Sequence, residues 1–326
     1  SVGECERRGV DRPPSALTQP GAARAAAVAR GAGDAPRSEG DHQGGNDSDG
    51  RAGRVAAARR DGEVPAQMIA VESWGIAGSV VDGGRVGRAW LGQSRGGAVD
   101  PAALALANRL VGNGELWPAI ETSGGLLLRV HRPVMVAVTG AMAHISVGDG
   151  PPVGWGSPVV LPAGAGLRVG RLLDGARTYV AVRGGLTRQH DQLTVGPDPL
   201  RSAASAVASR AATRTTIRVW PGPRVDWFEP SAWATLLSEA FIVTSTSRVG
   251  VRLSGAPLAH RLRGQLASEG IVEGAVQVPP DGQPIVMLAD HPTTGGYPVI
   301  AVIDPADLGQ VAQAAEGVAL RFATPR

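Results

Sequence analysis

From residue 68 onward, short runs of Val, Ile and Leu alternate with turns rich in glycine and proline. In the first half these runs fall at residues 79–81, 126–130, 134–138, 159–161, 167–169 and 179–182. The pattern resumes at 216–219, 241–244, 275–278, 285–288, 299–303 and 318–322. Each run has the length of a strand, and their number and spacing predict β-barrels or sandwiches rather than a doubly wound sheet. Two helices begin alike. Asp100-Pro101-Ala102-Ala103 and Asp304-Pro305-Ala306-Asp307 each place a capping acid before a proline at the first helical position. The first helix buries a face of Leu104, Ala107, Leu110 and Val111 and stops at Gly112, and the second runs through Leu308, Val311, Ala312 and Ala315 to Gly317. A third is expected from Pro230 to about Glu239.

The segment before residue 68 differs. It is rich in Ala, Gly, Arg, Asp and Ser and shows no apolar periodicity, so it cannot bury enough surface to offset its ordering entropy. A disordered tail is expected over 1–67. The first methionine is Met68, at the head of the apolar run 68–71. The native start is expected there, with the upstream part a mis-set start or a processed leader. Residues 189–214, rich in Ser, Ala and Arg, are expected to link a first β-lobe (68–188) to a second (215–326).

At 326 residues and 43% hydrophobic, the chain can bury one large core or two modest ones. Its 32 basic residues are all arginine, against 29 acidic ones. Without lysine there is no Walker-type phosphate lysine, no Schiff base and no biotin attached to this chain. Aromatics are only 4% and no basic stripe is evident, which argues against nucleic acid. Cys5 is the single cysteine, so an intrachain disulfide and a multi-cysteine zinc site are excluded, in keeping with a reducing cytoplasm. The six histidines lack metal-ligand spacing, and no metal site is expected. No apolar run approaches membrane-spanning length.

Three motifs bear on chemistry. Gly92-Gln93-Ser94-Arg95-Gly96 matches the nucleophile-elbow string, but the elbow needs a helix starting directly after the serine, and the cap here is Asp100. A solvated glycine loop is the better account. The second motif is the stretch Gln277 to Pro284 followed by Asp290-His291-Pro292-Thr293-Thr294-Gly295-Gly296-Tyr297-Pro298. Constrained in this way, it reads equally as a ligand-holding loop and as tight turns of a β-domain. The third is Arg248 and Arg252, four apart around Gly250. In an extended segment they share a face and could clamp a carboxylate or phosphate; the alternative is a pair of surface salt bridges to Glu269, Glu273 or Asp290.

A set of ordered strings carries a family resemblance. They include Gly97-Ala98-Val99-Asp100, Ala107-Asn108-Arg109-Leu110-Val111-Gly112-Asn113, Ile120-Glu121-Thr122, Val138-Thr139-Gly140-Ala141 and Tyr179-Val180-Ala181-Val182-Arg183-Gly184-Gly185. Further on come Pro221-Gly222-Pro223-Arg224, Ser247 to Leu253, Ser268-Glu269-Gly270, Gly274 to Pro279, and the Thr-Thr-Gly-Gly-Tyr-Pro loop. In order and spacing they resemble the carboxyltransferase-like family that includes the C-type chain of 5-oxoprolinase, the second chain of allophanate hydrolase, and KipA.

The resemblance implies a mainly β chain with a few helices, as two cyclophilin-like β-barrel lobes. It implies a subunit of an ATP-dependent 5-oxoprolinase, converting 5-oxoproline to glutamate with companion B-type and A-type subunits, ATP being bound by or shared with those partners. A small anionic substrate would be held by Arg248, Arg252, Thr293, Thr294, Gly295, Gly296 and Tyr297, with Glu269, Gln277 and Asp290 as candidates to aim it. The alternatives are a carboxyltransferase subunit of a biotin-dependent urea or acyl carboxylase or allophanate hydrolase system, and a non-catalytic KipA-type regulator that binds a kinase inhibitor. The chain departs from the family where Arg183 to Leu193 passes on without the usual Gly-Ser-Arg-Ser-type segment, where Arg201 to Arg210 replaces a Gly-Asp-containing turn, and where His291-Pro292 stands for a common Arg-Gln.

Overall fold

The computed structural model describes residues 68–189, 192–205, 208, 213–262, 264 and 266–325. The tail expected over 1–67, with Cys5, lies outside them. The described residues all belong to one compact unit, residues 60–326.

The first lobe comprises β1 (Met68–Ser73), β2 (Ser79–Val81), β3 (Ala119–Thr122), β4 (Leu126–Val130), β5 (Val134–Gly140), β6 (Ala143–Val147), β7 (Pro158–Leu161), β8 (Gly166–Leu172), β9 (Thr178–Val182), β10 (Leu186–Gln189) and β11 (Gln192–Val195). They form a six-stranded sheet in the order β10-β11-β1-β4-β8-β6 and a five-stranded sheet in the order β2-β3-β9-β5-β7. One core, with Ile69, Leu128 and Val169 from the first sheet and Ile120, Val136 and Val180 from the second, fills the space between them. Strand β9 is buried along its whole length. It lies between β3 and β5, and its outer face is covered by α1 (Pro101–Leu110) through Tyr179 and Ala181. An unbroken apolar strand is what burial on both faces requires.

Helix α1 begins as its sequence dictates. The Asp100 carboxylate accepts a hydrogen bond from the Ala103 amide at 3.1 Å, and Leu104, Ala107, Leu110 and Val111 are buried against the five-stranded sheet. Residues 192–195, inside the stretch expected as a linker, form β11 instead and pair with β1 and β10. Gln192, Leu193, Thr194 and Val195 alternate in and out, a pattern too short to distinguish from a loop beforehand.

The second lobe is a closed barrel. Its strands are β12 (Thr216–Pro221), β13 (Ala240–Thr246), β14 (Gly250–Ser254), β16 (Ala275–Gln277), β17 (Ile285–Met287), β19 (Val299–Ile303) and β20 (Ala319–Ala323), in the order β12-β19-β16-β17-β14-β13-β20. A small two-stranded sheet, β15 (Glu269–Gly270) with β18 (Thr294–Gly295), stands beside it. Closure removes sheet edges and gives every strand an inward face. Phe241, Val251, Val276, Val286, Ile300 and Phe322 fill the interior, and Ala232 and Leu236 of α2 (Pro230–Ser238) join the same core. The second Asp-Pro start yields a 3-10 turn, Pro305–Asp307, before a short helix α3 (Leu308–Ala312).

That turn is pinned to β12. Arg218 donates to both oxygens of the buried Asp307 carboxylate at 2.8 and 2.9 Å, and its amide adds a third bond at 2.8 Å. The hydrogen bonds from Arg218 hold the Asp307 pKa below the ordinary aspartate value, outweighing its burial. Asp307→Asn is expected to lower stability by about 1–2 kcal/mol at neutral pH, discounted because the arginine is partly exposed. A depressed folded-state pKa contributes stability above the unfolded value of about 4, and the contribution disappears as pH falls through the folded value. Urea unfolding of the two proteins should therefore converge in acid; a gap that stays constant down to pH 3 would contradict this role.

Candidate functional site

Where the two lobes meet, charged side chains from both converge on one carboxylate. Glu121 sits on β3 with 2% of its surface exposed. Its Oε1 accepts from Nη1 of Arg248 at 2.6 Å and lies 3.7 Å from Nε of Arg177. Its Oε2 accepts from the Tyr179 hydroxyl at 2.8 Å and from the Val99 amide at 3.1 Å. The same hydroxyl accepts from the Asp100 amide at 2.8 Å, so the start of α1 is fixed to the centre of the cluster.

Arg248 is the bridge. It projects from the turn between β13 and β14, and Asp290 of the second lobe grips it through two hydrogen bonds at 2.7 and 3.1 Å. From the first lobe it takes Glu121 and the Gly97 carbonyl at 2.7 Å. Burial works against its charge, but the Asp290 and Glu121 carboxylates outweigh that and hold its pKa above the ordinary guanidinium value. Gly97 must be glycine, because its φ is +71° and a Cβ would lie 2.4 Å from the Gly84 nitrogen. Arg177 is buried with its guanidinium 3.5 Å from Thr246 Oγ1 and from the Ala312 carbonyl, and burial lowers its pKa.

Further contacts join the lobes. Gln313, just past α3, donates to Asp100 Oδ2 at 2.9 Å and to the Arg177 carbonyl at 3.0 Å, while its own carbonyl accepts from the Ala176 and Arg177 amides. Arg95 forms a bidentate pair with Glu273 at 2.6 and 2.9 Å. The Gly96 amide donates to the Ala289 carbonyl at 2.9 Å.

Between the start of α1 and residues 305–313 lies a cavity of about 690 Å³. Asp100, Arg95, Glu273, Gln313 and Trp155 are among the side chains on its wall. Asp100 is buried, and desolvation raises its pKa even though the bonds from Gln313 and Ala103 favour the ionised form. Gly309 lets the opposing helix approach it: a Cβ there would stand 3.0 Å from Asp100 Oδ1. The site thus combines apolar walls, an amide that is fully hydrogen-bonded and a buried carboxyl whose pKa desolvation raises. Among the described residues no cluster of three or more His, Cys, Asp or Glu could hold a metal ion.

The residues expected from sequence separate into three places. Arg248 and Asp290 belong to the inter-lobe cluster. Arg252 stays exposed on β14, so the two-arginine clamp does not form. A shared face requires extended backbone, whereas Arg248 lies in a turn and its guanidinium is consumed by protein acceptors. The third group is Glu269, Gln277 and the Thr293–Tyr297 segment. Glu269 and Gly270 pair with Gly295 and Thr294, Ile271 donates to the Thr293 carbonyl, and Gln277 donates to the Tyr297 carbonyl at 3.1 Å. A Cβ at Gly295 would collide with Ile271 at 2.4 Å. Glu269 Oε2 receives Arg224 at 2.6 Å, and its buried Oε1 has no partner among the described residues. Gly296 and Tyr297 follow in the same loop, with Tyr297 largely exposed. His291 is buried with its Nδ1 2.7 Å from the Pro292 carbonyl.

Ser94 lies on the glycine loop well before the helix start, so the elbow arrangement does not arise. No local motif marks Glu121, Arg177, Tyr179, Gln313 or the Arg95–Glu273 pair as functional. The one available signal was an acid inside the otherwise apolar strand around Ile120, since a charge on a buried strand needs a partner.

The family model described as carboxyltransferase domain, subdomain A and B, matches residues 91–190 and 186–324. The chain is 33% identical to the C-type chain of 5-oxoprolinase from Escherichia coli K12 over 282 residues, covering 78% of this chain and 90% of that one. It is 28% identical to urea amidolyase of Lachancea kluyveri over 73% of its length, but spans only 16% of that protein. Among solved structures, TTHA0988 superposes with a TM-score of 0.71 at 32% identity, over 80% of this chain and 56% of that chain. The chain thus spans little more than half of that solved relative.

Arg248→Met is expected to cost about 2–3 kcal/mol, because it leaves the buried Glu121 with only Arg177, 3.7 Å away, as a cationic neighbour. Adding Glu121→Gln should recover part of the loss, giving a coupling energy of about 1 kcal/mol or more in a urea double-mutant cycle. Strictly additive losses would show that the two side chains do not act as a unit.

Proposed function

The chain belongs to the carboxyltransferase-domain family, and from that premise we propose that it is the C-type subunit of an ATP-dependent 5-oxoprolinase, a cytoplasmic complex that hydrolyses 5-oxoproline to glutamate. The observation that carries this reading is the alignment along 90% of a relative of that name. We assign the small lactam to the inter-lobe cavity, which is large enough for it and is walled by apolar and amide groups from both lobes.

Asp100 is the cavity residue suited to handling a proton on the substrate amide. Desolvation lifts its pKa toward the working pH, and the start of α1 holds it in place. Hydrolysis of an unactivated lactam is slow, and ATP would supply the activating phosphoryl group. The residues here do not fit a triphosphate. The cavity arginines Arg95 and Arg109 are already paired with Glu273 and Glu115, and the chain has no lysine. We therefore assign the phosphate contacts to companion subunits. Glu269, whose buried Oε1 lacks a partner among the described residues, and Gln277 remain candidate contacts for a group delivered by one of those companions.

A second reading is favoured by the family model and by the urea amidolyase match: transfer of a carboxyl group from biotin carried on another polypeptide. One experiment separates the two. The chain purified with its companions should release glutamate from 5-oxoproline only when ATP is present. Absence of turnover by the intact complex, with carboxyl transfer to urea from a carboxybiotinyl carrier, would replace the first reading with the second.

Within the active complex, Asp100→Asn should lower kcat by about 10²-fold or more. Asparagine still caps the helix, so thermal unfolding should change by far less than loss of the cap would cause. A raised pKa means that Asp100 takes up a proton at higher pH than an ordinary carboxyl. The acid limb of the kcat/KM profile should therefore lie above the usual range of about 4 and vanish in the variant. An unchanged limb would remove Asp100 from the chemistry.

A further inference from the structure

The loop joining β2 to α1 carries large apolar side chains into solvent. Val86 is 83% exposed, Trp90 82% and Leu91 54%, and the 3-10 turn Ala89–Leu91 buries none of its residues. A Cβ at Gly87 or Gly92 would meet nothing within 4 Å, so the tip stands clear of the other described residues. Its base, by contrast, is rigid. The Arg85 amide donates to the Arg95 carbonyl at 2.6 Å, the Gly96 amide is tied to the second lobe at Ala289, and a Cβ on Gly84 would lie 2.7 Å from the Arg95 oxygen. Among the described residues nothing covers the Val, Trp and Leu of this firmly rooted projection, and apolar surface so exposed favours a covering partner.

The charge on the tip says what that molecule is. Arg88, between Val86 and Trp90, is exposed and has no carboxylate partner among the described residues, whereas the Arg85 guanidinium turns back to the root, 3.6 Å from where a Cβ on Gly96 would stand. Tryptophan and arginine together are the residue types that dominate protein–protein binding energy, and the unpaired Arg88 guanidinium calls for a carboxylate opposite it. We propose that this loop is the docking element for a companion subunit of the enzyme, which receives Trp90 and Leu91 in an apolar pocket with an acidic rim.

The proposal rests on the reading above of the chain as one member of a complex, and extends it. The four residues from Leu91 to Arg95 span at most about 14 Å. Arg95 lines the cavity and holds Glu273, so a companion seated on the tip lies beside the cavity wall. It is there that phosphate contacts missing from this chain would be needed.

The test uses the full chain and purified B-type and A-type companions, with affinities measured by isothermal calorimetry. The double variant Trp90→Ser, Leu91→Ser is expected to weaken binding of one companion by about 30-fold or more. Arg88→Glu should weaken the same interaction through repulsion from the acidic rim. Both variants should keep the wild-type melting temperature, because the altered side chains are exposed. Wild-type affinity in both variants would overturn the docking assignment while leaving the proposed membership of the complex intact. Failure of the unaltered chain to bind either companion would overturn both. If the tip variants instead abolish self-association of the chain, measured by light scattering, the occupant is a second copy and the proposal fails. Loss of co-sedimentation with phosphatidylglycerol vesicles, with companion binding unaffected, would assign the tip to a membrane surface and equally refute it.

Discussion

One buried carboxylate, Glu121, holds the two lobes in a single arrangement. It lies in the first lobe, yet its strongest partner is Arg248 of the second, 127 positions away. Neither charge is stable alone in so dry a place. A lone carboxylate there would pay a desolvation cost of several kcal/mol, and the arginine repays it only because Asp290, Gly97 and Tyr179 complete the hydrogen bonding around the pair. Displacing one lobe by an ångström or two would break several of these bonds together. The inter-lobe geometry is therefore specified by polar complementarity as much as by apolar contact.

The cavity follows from that constraint. Its walls come from both lobes, and the Asp100–Gln313 bond beside it is made across the junction. The same Asp100 caps α1 through its side chain and reaches the Glu121 cluster through its backbone amide and Tyr179. A change in lobe orientation would thus be felt at the start of α1 and in the protonation of the carboxyl facing the cavity. The loop bearing Trp90 enters the same junction through Arg95, Gly96 and Gly97.

The arginines show where local reasoning stops. Their four-residue spacing gives a shared face only if the backbone is extended throughout, and the turn at Ser247, Arg248 and Val249 breaks that condition. Arg248 then finds acceptors on loops and strands distant in the chain. The Glu269, Gln277 and Thr-Thr-Gly-Gly elements fared differently. They do meet, because β15 and β18 pair directly and Gly295 allows Ile271 and Gln277 to approach. The glycine content of that loop was visible beforehand, while the strand it pairs with was not, since two residues carry no periodicity.

Short-range pattern alone determined the mainly β character, the position and the buried face of α1, its Asp-Pro cap, and the exclusion of lysine-dependent chemistry. These depend on neighbours within a few residues, and so they can be read along the chain. Folding decided which charges meet, that the second lobe closes as a seven-stranded barrel, that residues 192–195 return to the first sheet, and that a cavity opens beside Asp100. Each of those outcomes depends on the registry of segments far apart in sequence. A buried ion pair forms only where two such segments deliver opposite charges to one desolvated point, and no local pattern encodes that point.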